Sequence, residues 1–362
     1  MQELNNVGDF SLMEGVERVE SRITRERASR LENAKDVLSF GLSFLDEALG
    51  GIFKNDLILL GAKTGFGKSQ LAMLIALTNT RAGKRVLFLA LEAEEFEIER
   101  RLKYQIIADK FYDMPNRPSI RLNFMDWYNG KFDSVLDQLE KEAEEEVKKT
   151  RGLITYYRGS SFGVDDFERI SLGMKDQVDL IIIDHLHYFD FEDENENRAV
   201  KNVVKKIRDC ALIHGKPVIL IAHVRKSDRR MKQLIPDIED FHGSSDTGKI
   251  CTKALTIAPC YDEAHMIPNQ RQTYFQILKC RMDASRTNLT GLLSFNVGLQ
   301  RYEQEYFVGR LSFDGTEFKK LSTKEVPFWA SSAVLDPERN ENEAGESSER
   351  AKKAIDQLKL SG

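Results

Sequence analysis

Long apolar runs without polar alternation recur along the first two thirds of the chain. They occupy residues 57–60, 86–91, 153–157, 180–183 and 218–222. A run of this kind is typical of a strand buried on both faces of a parallel sheet. The stretches between them carry helical periodicity, as at Leu71, Leu74 and Ile75. Strands that alternate with helices predict an α/β fold with a mainly parallel central sheet and helices on both faces.

The last third of the chain has a different pattern of apolar and polar residues. Two further segments, at 254–259 and 274–281, predict strands, and the alternation that begins at Asn288 is typical of an antiparallel edge hairpin. Residues 240–249 are predicted to form a loop. Residues 109–149 are predicted to be helical, with a charged and solvated face.

Both ends of the chain differ from the central domain, which we place at residues 37–330. Residues 1–36 predict a linker or docking helix, because a capping-box pattern at 11–14 precedes apolar residues at helical spacing, namely Met13, Val16, Val19 and Ile23. The stripe is narrow, and periodicity leaves open whether this helix folds back on its own domain or docks on a neighbouring subunit. Residues 331–362 are acidic and polar, which predicts a disordered tail with a short terminal helix.

The loop after the first apolar run has the pattern of a phosphate-binding P-loop. A strand enters a glycine-bearing loop that ends in Lys68 and Ser69, and a helix follows. The predicted nucleotide-binding residues are Ala62, Lys63, Thr64, Gly65, Phe66, Gly67, Lys68, Ser69 and Gln70. The usual first glycine of the motif is Ala62 here, with Gly61 one place earlier. The alternative is a glycine-rich turn that binds nothing.

Three polar residues follow other buried runs, at the sheet edge where α/β proteins bind ligands. Glu92 is a candidate general base for activating water, and Asp184 completes a Walker B pattern that would hold Mg²⁺ together with Ser69. His223 is a candidate γ-phosphate sensor. The alternatives are a helix-capping glutamate, an ordinary aspartate at a strand end, and a histidine satisfied by the backbone.

A dense positive loop comes directly after His223. Its members are Arg225, Lys226, Arg229, Arg230 and Lys232. Clustered cations in a chain of net charge −5 suggest a contact with the phosphate backbone of nucleic acid. A solvated basic loop is the alternative.

Composition narrows the class of protein further. The chain has 362 residues, of which 41% are hydrophobic, so that a substantial core is expected. Its four cysteines form no C-x-x-C pair, which disfavours a zinc ribbon and fits reduced thiols. The first residues lack an apolar signal region, and no apolar segment is long enough to span a bilayer. We therefore expect a cytoplasmic protein without a membrane partner.

Together these motifs resemble the RecA-like ATPase domain of the DnaB-type, superfamily 4 ring helicases, with the phage and mitochondrial replicative branch as the nearest part of the family. The resemblance covers roughly residues 37–303. It implies ATP or another NTP or dNTP with Mg²⁺, a homo-hexamer, and single-stranded or forked DNA. The further partners it suggests are a primase, a polymerase or a helicase loader. It also allows the cytoplasm of a phage-infected host as the location.

The resemblance also assigns residues that the patterns alone do not. Lys279 and Arg281 match a lysine and an arginine finger presented to the neighbouring subunit's site. Gly243 and Ser244 lie in a segment that matches the end of the DNA-binding loop. The family usually has an acid in the strand that follows, where this chain has Thr252 and Lys253.

Two other classes share parts of this pattern. A RecA- or RadA-like recombination ATPase would form filaments, and a KaiC-like regulatory ATPase would bind protein instead of DNA. The 362 residues leave no room for a primase or collar domain beside the motor, so that a stand-alone motor with a short linker helix is expected.

Overall fold

The structure is a computed structural model. It describes residues 17–62, 65–119, 122–131, 134–191, 195–224, 234–241, 245–261 and 270–335.

The described residues form one sheet. Its ten strands are β1 (Leu57–Ala62), β2 (Val86–Ala90), β3 (Leu153–Tyr157), β4 (Leu180–Asp184), β5 (Val218–His223), β6 (Lys253–Pro259), β7 (Gln270–Cys280), β8 (Thr290–Asn296), β9 (Arg301–Leu311) and β10 (Phe318–Lys320). They lie side by side in the order β10-β9-β8-β7-β6-β1-β5-β4-β2-β3. The first six strands in sequence pair in parallel, and β7 to β10 add an antiparallel extension beside β6.

Helices cover both faces of the sheet. Within the described ranges they are α1 (Val19–Lys35), α2 (Ser43–Leu49), α3 (Lys68–Arg81), α4 (Glu97–Tyr112), α5 (Phe124–Tyr128), α6 (Ser134–Thr150), α7 (Val164–Met174), α8 (Glu196–His214) and α9 (Ser245–Ile250). Short 3₁₀ turns occur at Leu186–Tyr188, Ile238–Asp240 and Ala284–Arg286. The predicted α/β class with a mainly parallel sheet is confirmed.

Alternate residues of each buried strand point to different cores. Ile58 and Leu60 of β1 pack with α3 and α4 on one face, whereas Leu57 and Leu59 pack with α7 and α8 on the other. A strand sandwiched in this way has no solvated face, which explains why its sequence is continuously apolar. The arrangement holds the ends of the parallel strands rigidly at one edge.

Three local predictions differ from the structure. Residues 109–149 are interrupted between α4 and α6, where α5 is a separate short helix. Residues 245–250, predicted as part of a loop, form α9. The hairpin of β8 and β9 is not the edge of the described sheet, because β10 pairs with β9 beyond it.

The two ends of the described chain behave differently. No residue of α1 is buried, and Val19 and Ile23 are 74% and 58% exposed. This observation argues against packing of residues 19–35 on their own domain, and docking on a neighbour stays a prediction. At the other end the chain stays on the domain up to Val334, whose backbone N–H donates to Tyr306 O at 2.8 Å. None of the helices in the described part of the chain is both long and apolar enough to cross a membrane.

Candidate nucleotide site

Four parallel strands bring residues of the predicted site to one edge of the sheet. Strands β1, β4 and β5 end there at Ala62, Asp184 and His223, and Glu92 lies two residues after the end of β2. A cavity of about 630 Å³ lies at this edge, a size suited to a small-molecule ligand. Its lining includes Gly65, Phe66, Gly67, Lys68, Ser69, Gln70, Glu92, Asp184, His223, Arg271, Gln300 and Tyr302. The structure therefore brings the described P-loop residues 65–70 together with Glu92, Asp184 and His223 at this edge.

The loop between β1 and α3 has the backbone that a phosphate cradle needs. Gly65 and Gly67 adopt φ values of +83° and +85°, which residues with a Cβ rarely adopt. Among the described residues, a Cβ on Gly65 would meet no heavy atom within 4 Å. α3 begins at Lys68 directly after Gly67, and its free N–H groups and positive end favour an anion. The predicted Lys63 and Thr64 lie outside the described residues.

The departure at Ala62 has a structural reason. Ala62 is the last residue of β1 and fully buried, whereas Gly61 is the position that needs a glycine. A Cβ on Gly61 would lie 2.3 Å from Cζ of Phe241, which packs on the strand. Gly61 therefore permits a close side-chain approach and is not a displaced P-loop glycine.

The Lys68 side chain is buried at the base of the cavity. Its Nζ lies 2.8 Å from His223 Nδ1 and 3.4 Å from Ala62 O. Burial lowers the pKa of the Lys68 ammonium, although the charges of Asp184 and Glu92 oppose this effect. An incoming phosphate would add negative charge beside the ammonium and favour its charged form further.

Ser69 and Asp184 form the oxygen-rich part of the site. Ser69 Oγ donates to Asp184 Oδ2 at 2.7 Å, and Asp184 Oδ1 is buried with no hydrogen-bond partner among the described residues. Burial, together with the nearby Glu92 carboxylate, raises the pKa of Asp184 to about 6. A buried carboxylate with an unsatisfied oxygen beside a hydroxyl fits a Mg²⁺ ion, which takes oxygen ligands.

Glu92 does not cap a helix, as the alternative interpretation required. α4 begins at Glu97 with Phe96 as its N-cap, and the backbone N–H of Glu92 instead donates to Asp184 O at 3.2 Å. The Glu92 side chain is 43% exposed, and its Oε2 lies 3.0 Å from His185 Nε2. The carboxylate is thus held at the rim of the cavity by a neighbouring strand.

His185 is a site residue that the sequence interpretation missed. It follows Asp184 and is only 2% exposed, and its Nε2 lies 2.8 Å from Nε2 of His223. Burial and the neighbouring charges of His223, His187 and Lys68 hold the pKa of His185 far below its usual range, so that the ring is neutral. The only signal in the sequence was its position next to the Walker B aspartate.

Other cavity residues come from the antiparallel extension, where no motif marked them. Arg271 Nη1 lies 3.4 Å from Gly65 O, and Tyr302 OH lies against Gly67. Gln300 Oε1 accepts from Gln70 Nε2 at 2.5 Å. These contacts join the P-loop region to β7, to β9 and to the turn before β9.

Lys279 and Arg281 lie away from this cavity. Arg281 N donates to Thr252 O, and Thr252 N donates to Leu57 O, which places Arg281 beside the start of β1. The P-loop follows the other end of β1, about 16 Å away at roughly 3.3 Å per residue. Lys279 Nζ donates to the carbonyls of Gly248 and Lys249 at 2.8 Å each, and Arg281 is exposed.

The predicted DNA-binding residues fall outside the described ranges. They are Arg225, Lys226, Arg229, Arg230, Lys232, Gly243 and Ser244. A backbone bridge between Val224 and Phe241 brings together the two described residues that flank most of this segment. The strand after it is anchored differently from the family pattern, because Lys253 Nζ binds Asp56 Oδ2 at 2.7 Å. The acid that anchors this strand is Asp56, the residue before β1.

A family model described as the DnaB-like helicase C-terminal domain matches residues 38–304. The chain belongs to this family. The resemblance drawn from the motifs is thereby confirmed, and membership implies an NTP-hydrolysing replicative helicase. Among curated proteins, none matches the chain.

Two solved structures share the fold. A structure described as an ATPase domain superposes with a TM-score of 0.60 at 14% identity, covering 85% of this chain and 100% of that one. A structure described as a DnaB-like replicative helicase and its interactions with primase gives 0.60 at 15% identity, covering 78% of this chain and 66% of that one. At these identities the likeness shows the fold alone.

Proposed function

We propose that this chain is a ring-shaped, NTP-driven DNA helicase that translocates on single-stranded DNA and unwinds duplex during replication. The observation that carries the proposal is the convergence of Lys68, Ser69, Glu92, Asp184 and His223 on one cavity, at the ends of adjacent strands. Family membership supplies the helicase context.

Each of these side chains has a role in NTP hydrolysis that its surroundings favour. Lys68 binds the β- and γ-phosphates, and Glu92, half in solvent at the cavity rim, orients and deprotonates the attacking water. Ser69 and Asp184 hold Mg²⁺, which when bound neutralises charge on the phosphates. His223 senses the γ-phosphate and passes the signal to the basic loop that follows it in sequence, a role supported by its contact with Lys68 and its position at the end of β5.

Assembly into a ring is supported by the position of Arg281. The guanidinium is exposed and lies at the edge of the sheet opposite its own P-loop, so that it has no route to its own nucleotide. In a head-to-tail hexamer the same residue reaches the cavity of the next subunit, with Lys279 beside it. Hydrolysis is then coupled to motion between subunits.

The DNA contact is assigned to the basic loop after β5. Its cations would bind phosphates of either single-stranded or forked DNA without reading bases. One structural relative is described with its interactions with primase. We infer that a primase, a polymerase or a loader is the class of protein partner for this motor as well.

The test is Glu92→Gln. The variant should keep nucleotide and single-strand binding, and should lose hydrolysis by about 10²–10⁴-fold, the range expected for a general base. Strand displacement on 5′- and 3′-tailed forks should be lost with it. Glu95→Gln is the matched control, because Glu95 is an exposed acid on the same connection and does not line the cavity. Near-normal turnover in Glu92→Gln, or no strand displacement by the wild type on either fork, would refute the proposal.

A further inference from the structure

Three metal-binding side chains meet at the rim of the nucleotide cavity. One ligand atom each from Glu92, His185 and His223 lies within 4.8 Å of the other two. The three residues follow or end three adjacent strands, β2, β4 and β5, so that the backbone fixes their spacing. Two imidazoles and a carboxylate are a donor set that zinc-class cations use in proteins.

Among the contacts of the described residues, the hydrogen-bond roles of the two imidazole rings conflict. The Lys68 ammonium is a donor only, and it lies 2.8 Å from His223 Nδ1, so that the proton of neutral His223 belongs on Nε2. His185 Nδ1 accepts the backbone N–H of His187 at 3.3 Å, which places the proton of this ring on Nε2 as well. The two Nε2–H groups would then face each other across 2.8 Å.

The neighbouring carboxylate relieves only part of this conflict. Glu92 Oε2 lies 3.0 Å from His185 Nε2 and accepts one of the two protons. A divalent cation would relieve all of it, because both Nε2 lone pairs and the carboxylate oxygen would face the metal and neither ring would need a proton there.

The spacing suits tetrahedral coordination. Ligand atoms at the usual 2.0–2.1 Å from zinc are separated by about 3.3 Å. Two of the observed separations, 2.8 and 3.0 Å, lie a few tenths of an ångström below this value, and the third, between the Glu92 carboxylate and His223, is within 4.8 Å. Side-chain rotations would bring the three atoms to the tetrahedral spacing. We propose that Glu92, His185 and His223 form a binding site for a zinc-class divalent cation, with water as the fourth ligand.

This site is chemically distinct from the predicted Mg²⁺ site. Ser69 and Asp184 offer oxygen atoms, which Mg²⁺ prefers, whereas imidazole favours Co²⁺, Ni²⁺ and Zn²⁺. The two sites share no ligand, and Mg²⁺ at millimolar concentration is not expected to displace the zinc-class ion. Metal binding here does not depend on the proposed function.

The consequence of binding does rest on the proposed function. A cation held by Glu92 and His223 occupies the carboxylate proposed to orient water and the ring proposed to sense phosphate. Hydrolysis should stop while the ion is bound and resume when it is removed. The cluster is therefore an inhibitory metal site built from the hydrolytic residues and one residue, His185, that has no proposed step in hydrolysis.

The experiment uses Co²⁺ as a spectroscopic probe of the untagged, nucleotide-free full chain at neutral pH. Titration should produce the strong visible d–d absorption of a four-coordinate ion at a stoichiometry of one per chain. Sulfur-to-metal charge-transfer bands should be absent, since the site contains no cysteine. Added Zn²⁺ should bleach the spectrum, because zinc binds such ligands more tightly than cobalt.

Substitutions at the ligands identify the site. His223→Gln and His185→Gln should each weaken Co²⁺ binding by at least about 10–100-fold, the loss seen even for supporting residues of metal sites. His214→Gln, at the end of α8, is the control and should bind like the wild type. Because His185 is buried, the partly exposed His223 keeps the test valid if the His185 variant misfolds.

The outcomes separate this proposal from the proposed function. Absence of the d–d spectrum, thiolate bands, or an undiminished spectrum in His223→Gln would overturn the metal site and leave the helicase proposal intact. With the wild type, micromolar Zn²⁺ should inhibit hydrolysis in millimolar Mg²⁺, and a chelator should restore it. Zinc binding without inhibition would overturn the inhibitory role.

Discussion

The buried ion pair between Lys253 and Asp56 anchors β6, and its removal tests how much this contact stabilises the fold. Lys253 is 1% exposed, and its Nζ binds Asp56 Oδ2 at 2.7 Å and Gly51 O at 2.6 Å. The ammonium also lies 4.5 Å from the centre of the Phe53 ring. Asp56 in turn accepts from Thr252 Oγ1 at 2.7 Å, so that the pair joins β6 to the start of β1.

The perturbation is Lys253→Met, which keeps the apolar stem and removes the charge. It leaves the Asp56 carboxylate buried with only neutral donors, Thr252 Oγ1 and Phe53 N. Breaking one side of a buried pair costs about 3–5 kcal/mol, because the remaining charge is desolvated without compensation. The expected loss of stability is therefore of that size.

The assay is equilibrium unfolding in urea. The midpoint for Lys253→Met should fall by an amount equivalent to about 3–5 kcal/mol, with an unchanged slope. The control is Lys54→Met, since Lys54 pairs with Asp36 at 3.7 Å with both side chains about 40% or more exposed. An exposed pair contributes about 0–1 kcal/mol. A loss below about 1 kcal/mol for Lys253→Met, equal to that of the control, would refute the reasoning.

Three further outcomes follow from particular contacts. Asp184→Asn should abolish hydrolysis yet stabilise the metal-free protein at pH 7.5 by up to about 3 kcal/mol, because the folded pKa of about 6 exceeds the ordinary 3.8. In the wild type, Asp184 is protonated well below pH 6, and the fold loses stability as pH rises through 6 and the buried carboxyl ionises. The difference in melting temperature between Asp184→Asn and the wild type should therefore vanish near pH 4. A gain that does not depend on pH would contradict the assignment. Gly61→Ala should lower the urea midpoint by about 1–3 kcal/mol through its clash with Phe241, whereas Gly159→Ala, with no heavy atom within 4 Å, should not. Equal effects of these two substitutions would argue against the clash. Neutralising the three loop cations Arg225, Arg229 and Lys232 together should weaken binding of single-stranded DNA of any sequence. The slope of log binding constant against log salt concentration should become shallower by about 2. An unchanged slope would place DNA binding elsewhere.

Much of the sheet was predictable because its signal is local. Continuous apolar runs mark strands buried on both faces, and parallel strands place their last residues at a common edge. Glu92, Asp184 and His223 could therefore be placed at one edge before any contact was known. The structure adds their mutual distances.

Non-local contacts were beyond the sequence. His185 and His223 are 38 residues apart, and Lys253 and Asp56 are 197 apart, so that no local pattern pairs them. The first pair follows from β4 and β5 lying side by side, and the second from β6 pairing with β1. Only the order of strands in the sheet supplies this information.

The missed helix α9 has a different cause. Its sequence contains Gly248, which disfavours a helix, and little apolar periodicity. Ile238 packs so closely on Gly248 that a Cβ there would lie 2.4 Å from Ile238 Cγ1. Tertiary packing stabilises this short helix against its intrinsic preference.

In the proposed ring, Arg281 of one subunit completes the nucleotide site of its neighbour. The measurement is NTP hydrolysis by mixtures of Arg281→Ala and Lys68→Ala subunits, with Arg310→Ala, an exposed arginine on β9, as the control substitution. Arg281→Ala alone should lose about 10³–10⁵-fold in rate as an arginine finger, and Lys68→Ala alone should fail to bind nucleotide.

Mixing the two variants creates some interfaces with an intact P-loop on one side and an intact finger on the other. If the finger acts on the neighbouring site, the mixture should recover part of the hydrolysis but not unwinding. Arg310→Ala should have wild-type activity. No recovery despite demonstrated co-assembly, or full activity of Arg281→Ala alone, would contradict completion of the site by a neighbouring subunit.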